Sequence, residues 1–312
     1  MKKNYFLTVL FAFAMMTTVN AQFTDDMESY TVGTQVFGAH WSDWGGTGSN
    51  ALWSSADQAH SGAQSGHVPG GVNPDDGTNV DAVLDLGNKI FGTWGLEFYM
   101  YVPTGNVGYY NLQGTIPIGG GDWIVGNVNF GDVNPGEGSI DDTVLGAVDF
   151  TFPHDEWFSI IMNFDISAGM SAATWEMAVD GTIVIPAGTA FTHSDGSTAA
   201  SLGGLDIYSN GPTFDFYVDD FTYQDSFIVI LGTQDLNAKG FSAYPNPVTN
   251  VLNLNAKEAI SSVSVYNVLG QEVYSANVNA LNTTIDTASF TSGVYFVKVN
   301  IAGTEGTVKI LK

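Results

Sequence analysis

The sequence predicts an all-β protein, a jelly-roll β-sandwich followed by a small β-sandwich. Short apolar runs alternate with polar residues along most of the chain, and 37 glycines punctuate them. No segment shows a sustained helical period of 3.6 residues with capping residues. The 312 residues are 44% hydrophobic and 13% aromatic, enough to bury a sizeable core. Their number corresponds to about two domains.

The first 21 residues have the three parts of a secretory signal peptide. Lys2 and Lys3 supply the positive region, residues 5–16 supply the apolar region, and Val19–Ala21 has the small-residue spacing that signal peptidase needs. We therefore expect cleavage after Ala21. No later stretch offers the roughly 18 uninterrupted apolar residues of a membrane span, so we expect no membrane insertion.

Charge divides the mature chain into two parts. Residues 22–233 contain 27 acidic side chains and one base, Lys89, whereas residues 234–312 contain five of each. An abrupt change of this kind marks a domain boundary. The predicted divisions are a signal peptide at 1–21, a domain at 22–225, a linker at 226–239 and a second domain at 240–312. With no Arg and a net charge of −24, the chain is a poor partner for nucleic acid.

Strand patterns fill the acidic domain. Trp94–Val102 and Trp157–Phe164 are apolar runs that suit strands buried on both faces, and Asp180-Gly181 is a two-residue hairpin signal. About twelve to fourteen such strands predict a jelly roll.

Five segments of this domain form a recognisable set. They are Phe23–Glu28, Leu96–Pro103, Asp155–Asp165, Met177–Gly181 and Tyr217–Phe221. Together they resemble the concanavalin A-like lectin and glucanase superfamily. Because that superfamily contains lectins, enzymes and structural modules, the resemblance implies a fold and leaves the function open.

The C-terminal domain has its own alternating runs. In Tyr295–Val299 the odd-numbered residues face one side and the even-numbered residues the other, which is the two-residue period of a half-buried strand. Six or seven such strands within about 75 residues predict a small Ig-like sandwich.

Three motifs follow one another in this domain: Tyr-Pro-Asn-Pro, Val-Tyr-Asn-Val-Leu-Gly-Gln, and Gly-Val-Tyr ahead of a final strand. The residues that carry them are Tyr244, Pro245, Asn246, Pro247, Gly270, Gly293 and Tyr295. In this order they resemble the type A C-terminal sorting domain of the type IX secretion system. One departure is Phe290-Thr291-Ser292, where many members have Leu-Pro before the last motif.

The resemblance implies export across the outer membrane of a Bacteroidetes-type bacterium by the type IX translocon. A sortase-like protease would then remove the domain by cutting between Gln224 and Gly240, which gives an extracellular or outer-membrane surface protein. A permanent adhesion module is the alternative.

Four tryptophans are candidates for carbohydrate binding because they sit among Gly, Ser, Asn and Asp. They are Trp41, Trp44, Trp53 and Trp123. Sugar C–H faces pack on such rings while nearby polar groups fix orientation. The other tryptophans, Trp94, Trp157 and Trp175, lie in apolar runs and are expected in the core.

Known catalytic patterns are missing from the sequence. The Glu-x-Asp-x-x-Glu strand of laminarinase-like enzymes and a His-Glu-x-x-His metal motif do not occur, and no Arg is present to hold a sugar carboxylate. We therefore predict a secreted or cell-surface carbohydrate-binding or adhesion protein. The alternatives are a polysaccharide-degrading hydrolase or lyase of the same fold, with catalytic residues that converge from distant positions, and a structural surface protein without a sugar ligand.

Acidic residues at both ends of the first domain predict a calcium site. They are Asp25, Asp26, Glu28, Asp219 and Asp220. They would meet if the first and last strands pair, and Ca²⁺ takes oxygen ligands of this kind. The alternative is a solvated acidic surface whose carboxylates point apart.

One short motif is a candidate modification site. Asp142-Thr143-Val144 resembles the Bacteroidetes O-glycosylation signal, in which Thr143 would carry the sugar. A motif of three residues also arises by chance.

Overall fold

The structure is a computed structural model that describes residues 22–71, 79–118, 122–131, 134–209, 211–230, 236, 239–268, 270–302 and 304–312. The predicted signal peptide lies outside the described residues. The strands are β1 (Phe23–Asp25), β2 (Trp41–Asp43), β3 (Trp53–Ser55), β4 (Ser65–Val68), β5 (Asp81–Lys89), β6 (Thr93–Tyr101), β7 (Gly108–Gln113), β8 (Trp123–Phe130), β9 (Glu137–Thr143), β10 (Gly146–Thr151), β11 (Trp157–Asp165), β12 (Thr174–Val179), β13 (Thr182–Ala190), β14 (Leu202–Tyr208), β15 (Phe216–Gln224), β16 (Ser242–Tyr244), β17 (Val251–Asn267), β18 (Glu272–Asp286), β19 (Val294–Ile301) and β20 (Thr304–Leu311). The all-β prediction is confirmed.

Two antiparallel sheets form the N-terminal sandwich. Sheet A has the order β13-β12-β11-β6-β15-β4-β3, and β1 also pairs with β15. Sheet B has the order β10-β9-β8-β7-β14-β5-β2. Strands that are distant in sequence, such as β6 and β15 or β7 and β14, lie side by side. This crossing between two sheets is the connectivity of a jelly roll, as predicted.

Alternation along the strands builds one core between these sheets. In β6, Leu96, Phe98 and Met100 are fully buried and point inward. Phe98 of sheet A meets Tyr110 of sheet B with ring centroids 5.6 Å apart. Because successive side chains of a strand point to opposite faces, the residues between these positions form the outer face of each sheet.

The C-terminal domain is a five-stranded sheet, β16-β17-β19-β20 with β18 along the other side of β17. The pairing of β17 is irregular between Asn255 and Ser262. Across this irregularity the buried positions change from even numbers, Leu252 and Leu254, to an odd number, Val263. Bulges bend a sheet in this way. The small domain therefore consists of one continuous sheet that bends into two layers around a common core.

Both described ends of the predicted linker are packed against a domain. Ile228 exchanges two hydrogen bonds with the Asn163 side chain of sheet A: its N–H donates to Oδ1 at 2.7 Å and its carbonyl accepts from Nδ2 at 2.8 Å. At the other end, Leu236 is 1% exposed and belongs to the C-terminal core. In the part of the chain that is described, no helix has the length and apolarity to span a bilayer.

Candidate functional site

The outer face of sheet B carries polar side chains in two rows that cross neighbouring strands. The first row contains Asp81, Tyr208, Tyr109, Asn129, Ser139 and Asp149. The second contains Asp206, Asn111, Asn127 and Asp141. We call these ten residues the polar face. With strands about 4.8 Å apart, the first row spans on the order of 24 Å, which suits an extended ligand.

Two tyrosines give the polar face its aromatic surface. The rings of Tyr109 and Tyr208 are half-buried and meet edge to face, with centroids 6.1 Å apart. The Tyr109 hydroxyl lies 3.1 Å from both the Gly126 carbonyl and Asn127 Oδ1. Burial raises the pKa of Tyr109 to about 12, so its hydroxyl stays protonated and able to donate.

Buried amides hold the centre of the polar face in place. Asn111 Nδ2 donates to Asp206 Oδ2 at 2.8 Å, and Gln113 Nε2 donates to Asn111 Oδ1 at 2.5 Å. Asp206, Asn111 and Gln113 are all at most 3% exposed. Hydrogen bonds between buried side chains of this kind fix rotamers, so the half-buried groups beside them are presented in one arrangement.

The charged groups of the polar face are carboxyl groups, and none of its ten residues is basic. Burial raises the pKa of Asp206 well above its usual range, and the neighbouring Asp81 raises it further. Burial likewise raises the pKa of Asp81. Lys89, the single base of residues 22–233, lies with Nζ 4.6 Å from the ring centroid of Trp94 on sheet A. The polar face therefore suits an uncharged or cationic ligand.

A pocket of about 340 Å³ lies at the β10 end of the polar face. Its lining residues are Asn129, Glu137, Gly138, Ser139, Asp149, Phe150 and Thr151. Gly138 is required there, because a Cβ at this position would lie 2.4 Å from the Phe150 ring.

The four predicted tryptophans lie in different places. Trp123 is 50% exposed and pairs in register with Gln113 at the border of the polar face. Trp44 is half-buried, and its backbone N–H donates to the Asp81 carbonyl at 3.0 Å. Trp53 is half-buried on sheet A. Trp41 is 2% exposed and belongs to the core, because its Nε1 donates to Asp25 at 2.9 Å and thus satisfies a buried ring.

The three tryptophans expected in the core differ in how deeply they are buried. Trp175 is buried at 3% exposure. Trp94 and Trp157 are only half-buried, and Trp157 lies on the outer face of sheet A beside Tyr101, with ring centroids 5.6 Å apart.

Sequence reasoning missed the central residues of the polar face. A signal was present in the alternation of β14, where buried Leu205 and Ile207 are interleaved with Asp206 and Tyr208. Alternation identifies an outward-facing row. It does not show that β7 and β14 are neighbours.

The acidic ends of the first domain do approach one another, because β1 pairs with β15 and Asp25 lies opposite Phe221. Their carboxylates, however, accept hydrogen bonds from separate sets of protein donors. Asp25 accepts from the Met27 N–H, Tyr30 Oη and Trp41 Nε1 at 2.8 to 3.0 Å.

The remaining acidic residues also have donors. Buried Asp219 accepts from the backbone N–H groups of residues 60, 61 and 220 at 2.8 to 3.4 Å. Asp220 contacts His60 Nδ1 at 2.6 Å and accepts from Ser61 Oγ at 2.7 Å. Glu28 accepts from the N–H groups of residues 63 and 64, and Asp26 from the N–H of Glu28.

These contacts do not form a cation cage. Among the described residues, no group of three Asp, Glu or His side chains is placed to hold a metal ion. The two alternatives of the sequence analysis, a cation or carboxylates pointing into water, omitted a third arrangement that the structure shows: backbone and side-chain donors compensate the charges.

Calcium binding at the seam where β1 pairs with β15 stays a prediction, and one measurement decides it. A bound ion at about 100 times its dissociation constant adds about 2.7 kcal/mol of stability, so EDTA should lower the Tm by several degrees and Ca²⁺ should restore it better than Mg²⁺. An unchanged Tm, with no calcium in elemental analysis, would mean that the protein donors alone compensate these carboxylates.

The candidate glycosylation residue Thr143 is 5% exposed and is the last residue of β9, next to the turn that leads to β10. Its Oγ donates to the Gly146 carbonyl at 2.8 Å and accepts from the Leu145 N–H at 3.1 Å. Attachment of a sugar would require this turn to open. Glycosylation of Thr143 stays a prediction.

The C-terminal motifs meet at one end of the small domain. Tyr244 ends β16, and the two prolines that follow it prevent the strand from continuing. Asn246 then binds the edge of β20, where its Oδ1 accepts from the Leu311 N–H at 2.8 Å. The Tyr-Pro-Asn-Pro segment thus holds the end of β20 through the side-chain amide of Asn246.

This part of the chain also matches a family model. Residues 242–312 match the secretion system C-terminal sorting domain. The C-terminal domain is a sorting domain. Its presence confirms the resemblance to type IX sorting domains, and it implies contact with the secretion machinery and a secreted or cell-surface protein.

The departure noted in the sequence has a structural role in the sorting domain. Tyr295 is 4% exposed, its hydroxyl donates to the Thr291 carbonyl at 2.9 Å, and its ring lies 5.0 Å from Phe290. The residues that replace Leu-Pro therefore pack directly on the Tyr of the last motif. Gly270 takes a left-handed conformation, φ 73°, in the turn after β17, and Gly293 precedes β19.

Comparison with solved structures gives distant likenesses. The globular domain of T. cruzi calreticulin is 11% identical with a TM-score of 0.41, covering 66% of this chain and 88% of that one. The catalytic domain of a glycoside hydrolase family 131 protein from Coprinopsis cinerea is 15% identical with a TM-score of 0.39, covering 67% and 92%. Trypanosoma rangeli sialidase is 11% identical with a TM-score of 0.38, covering 61% and 30%. No curated protein shows a significant sequence match.

Proposed function

We propose that the N-terminal domain binds a polysaccharide across the polar face of sheet B, on a protein that the sorting domain directs to the outside of the cell. The single observation that carries the proposal is the row of side chains that crosses six strands with two tyrosine rings near its middle. Rings offer apolar surface to sugar C–H groups, while amides and carboxyls bind hydroxyls.

The charge of the polar face favours an uncharged or amino-substituted polysaccharide. Its four carboxyl groups, Asp81, Asp141, Asp149 and Asp206, would repel an anionic chain, and the Lys89 Nζ at the end of β5 lies over the Trp94 ring of sheet A. Exposed Trp123 extends the surface at one border. We propose no hydrolysis by the Asp81 and Asp206 pair, because these two carboxyl groups are in contact, whereas glycoside hydrolysis uses carboxyl groups roughly 5 to 10 Å apart.

Substitution of the two tyrosines tests the site. The secreted protein is incubated with insoluble cellulose, xylan, mannan and chitosan, and with alginate gel as the anionic comparison. Tyr109→Ala and Tyr208→Ala should each weaken retention about tenfold, which is about 1.4 kcal/mol, because each removes one ring surface. Trp123→Ala should cause a smaller loss.

The matched control is Tyr101→Ala, which removes a half-buried tyrosine from the outer face of sheet A. It should leave retention unchanged. Equal losses in the Tyr101 and Tyr109 variants, or retention on alginate alone, would contradict binding at the polar face. Absence of retention on every polysaccharide would favour a structural surface protein.

A further inference from the structure

Two carboxyl groups of the polar face touch one another without a cation nearby. Asp81 and Asp206 are diagonal neighbours on β5 and β14, within hydrogen-bonding range. Asp206 is 3% exposed. One oxygen of each, Oδ1, is buried and has no hydrogen-bond partner among the described residues.

Buried oxygens without a donor are rare in folded proteins, and each one requires an explanation. Two ionised carboxylates in contact also repel, and the usual resolution is that the pair keeps one proton between them. A single proton carried by one Oδ1 would let that oxygen donate to the other Oδ1. Both buried oxygens would then have a hydrogen-bond partner.

We propose that Asp81 and Asp206 share one proton in the folded protein and that this proton keeps the polar face in its binding arrangement. Both are positioning residues in this account, and their effect on ligand rests on the function proposed above. The shared proton lets Asp206 stay close to Asp81 while its second oxygen accepts from Asn111.

The link from the pair to the ligand surface runs through Asn111. Its Nδ2 donates to Asp206 Oδ2 at 2.8 Å and lies 3.2 Å from the Tyr109 hydroxyl. The Tyr109 hydroxyl in turn lies 3.1 Å from Asn127 Oδ1 on β8. Loss of the shared proton leaves two negative charges in contact, so Asp206 moves away from Asp81 and the Asn111 and Tyr109 side chains lose their fixed positions.

The charged group that faces the pair favours retention of the proton, whereas the hydrogen bond from the Asn111 amide to Asp206 opposes it. Asp43 on β2 adds a negative charge next to Asp81. Burial alone would raise the pKa of Asp43, yet backbone amides of residues 47, 48 and 50 hold it below its ordinary value, so Asp43 is ionised. The Tyr109 phenol on β7 is uncharged near neutral pH, the Tyr208 phenol lies beside it on β14, and no described Lys or His side chain contacts the pair.

The sign of the pH dependence follows from the raised pKa values of both carboxyls. The folded protein holds a proton that the unfolded chain has already released above about pH 4. The contribution of the pair to stability is therefore greatest in acid and is lost as pH rises through the folded pKa of the pair. Asp219 on sheet A, whose pKa burial raises to about 6, acts in the same direction, so variants must be compared with the parent protein.

Carboxyl ¹³C NMR of the full mature chain tests the pair without any ligand. Asp81 and Asp206 should titrate in two widely separated steps, and the side-chain amide signal of Asn111 should move with the upper step. Asp206→Asn, which supplies a permanent donor to Asp81, should abolish the upper step and flatten the fall of Tm between pH 5 and 9. Asp85→Asn, an exposed carboxyl on the same strand, should leave both unchanged.

Retention on the same polysaccharides distinguishes a failure of the shared-proton proposal from a failure of the proposed binding function. Between pH 5 and pH 9 the parent should lose about tenfold in retention and Asp206→Asn less than about twofold. A single ordinary acid titration of both carboxyls, or an Asn111 signal that ignores the upper step, would overturn the shared proton or its positioning role. Two separated steps without retention on any polysaccharide would uphold the pair and refute the binding function.

Discussion

A chain truncated after Ile230 is expected to stay within the cell, whereas the full chain reaches the medium or the cell surface. The physical reason is that the secretion machinery must recognise the sorting domain at residues 242–312, and the truncated chain lacks it. The N-terminal core draws only on residues 27–223, so its folding does not need the missing part. Immunoblots of medium, cell surface and periplasm from the native host measure the distribution.

The position of the truncation follows from the structure. A chain ending at Gln224 would also lose Ile228 and its two hydrogen bonds to Asn163, which would leave the buried Oδ1 of that amide without its donor and Nδ2 with Glu176 Oε1 alone. A misfolded product could then be mistaken for one that is not exported. Tyr109→Ala in the full chain is the export control, because it leaves the sorting domain intact. Parental levels of the truncated chain in the medium would contradict the sorting role.

The second large effect is expected from Asp219→Ala. The Asp219 side chain is fully buried and accepts from three backbone N–H groups, those of residues 60, 61 and 220. Its removal leaves these donors without an acceptor and opens a cavity, for a total loss of about 3 kcal/mol. For a domain of this size that corresponds to a Tm lower by roughly 6 to 12 °C.

The matched control is Asp26→Ala, which removes an exposed carboxylate just after β1, the strand that pairs with β15. Its effect should stay within about 0.5 kcal/mol. Calorimetry in the presence of EDTA keeps any bound cation out of the comparison. Equal Tm values for the two variants would show that the amides around Asp219 find other partners, and the structural account of this seam would be wrong.

The sorting domain could be recognised from local sequence because its motifs are contiguous. Tyr-Pro-Asn-Pro ends a strand by its own covalent geometry, and alternation along Val294–Ile301 shows which side chains are buried. The charge boundary was equally visible. It did not reveal that Ile228 packs against sheet A or that Leu236 enters the second core, since both contacts depend on partners far along the chain.

Tryptophan burial was harder to predict from neighbouring residues. Trp41 lies among Gly, Ser and Asp, yet it is buried because a carboxylate from β1, Asp25, accepts from its ring nitrogen. Trp157 lies in an apolar run, yet it faces outward beside Tyr101. Flanking composition describes the immediate strand, whereas burial depends on which sheet covers it.

By itself, the sequence determined the all-β class, the division into two domains and the sorting motif, because strand period, charge and contiguous motifs are local properties. Only the tertiary structure decided the polar face. Asp81, Tyr109 and Asp206 come from three strands that are distant in sequence, and their contacts depend on β14 lying between β5 and β7 in a particular register. A period of two shows that a side chain points outward, but strand order and register, set by long-range packing, decide which side chains meet.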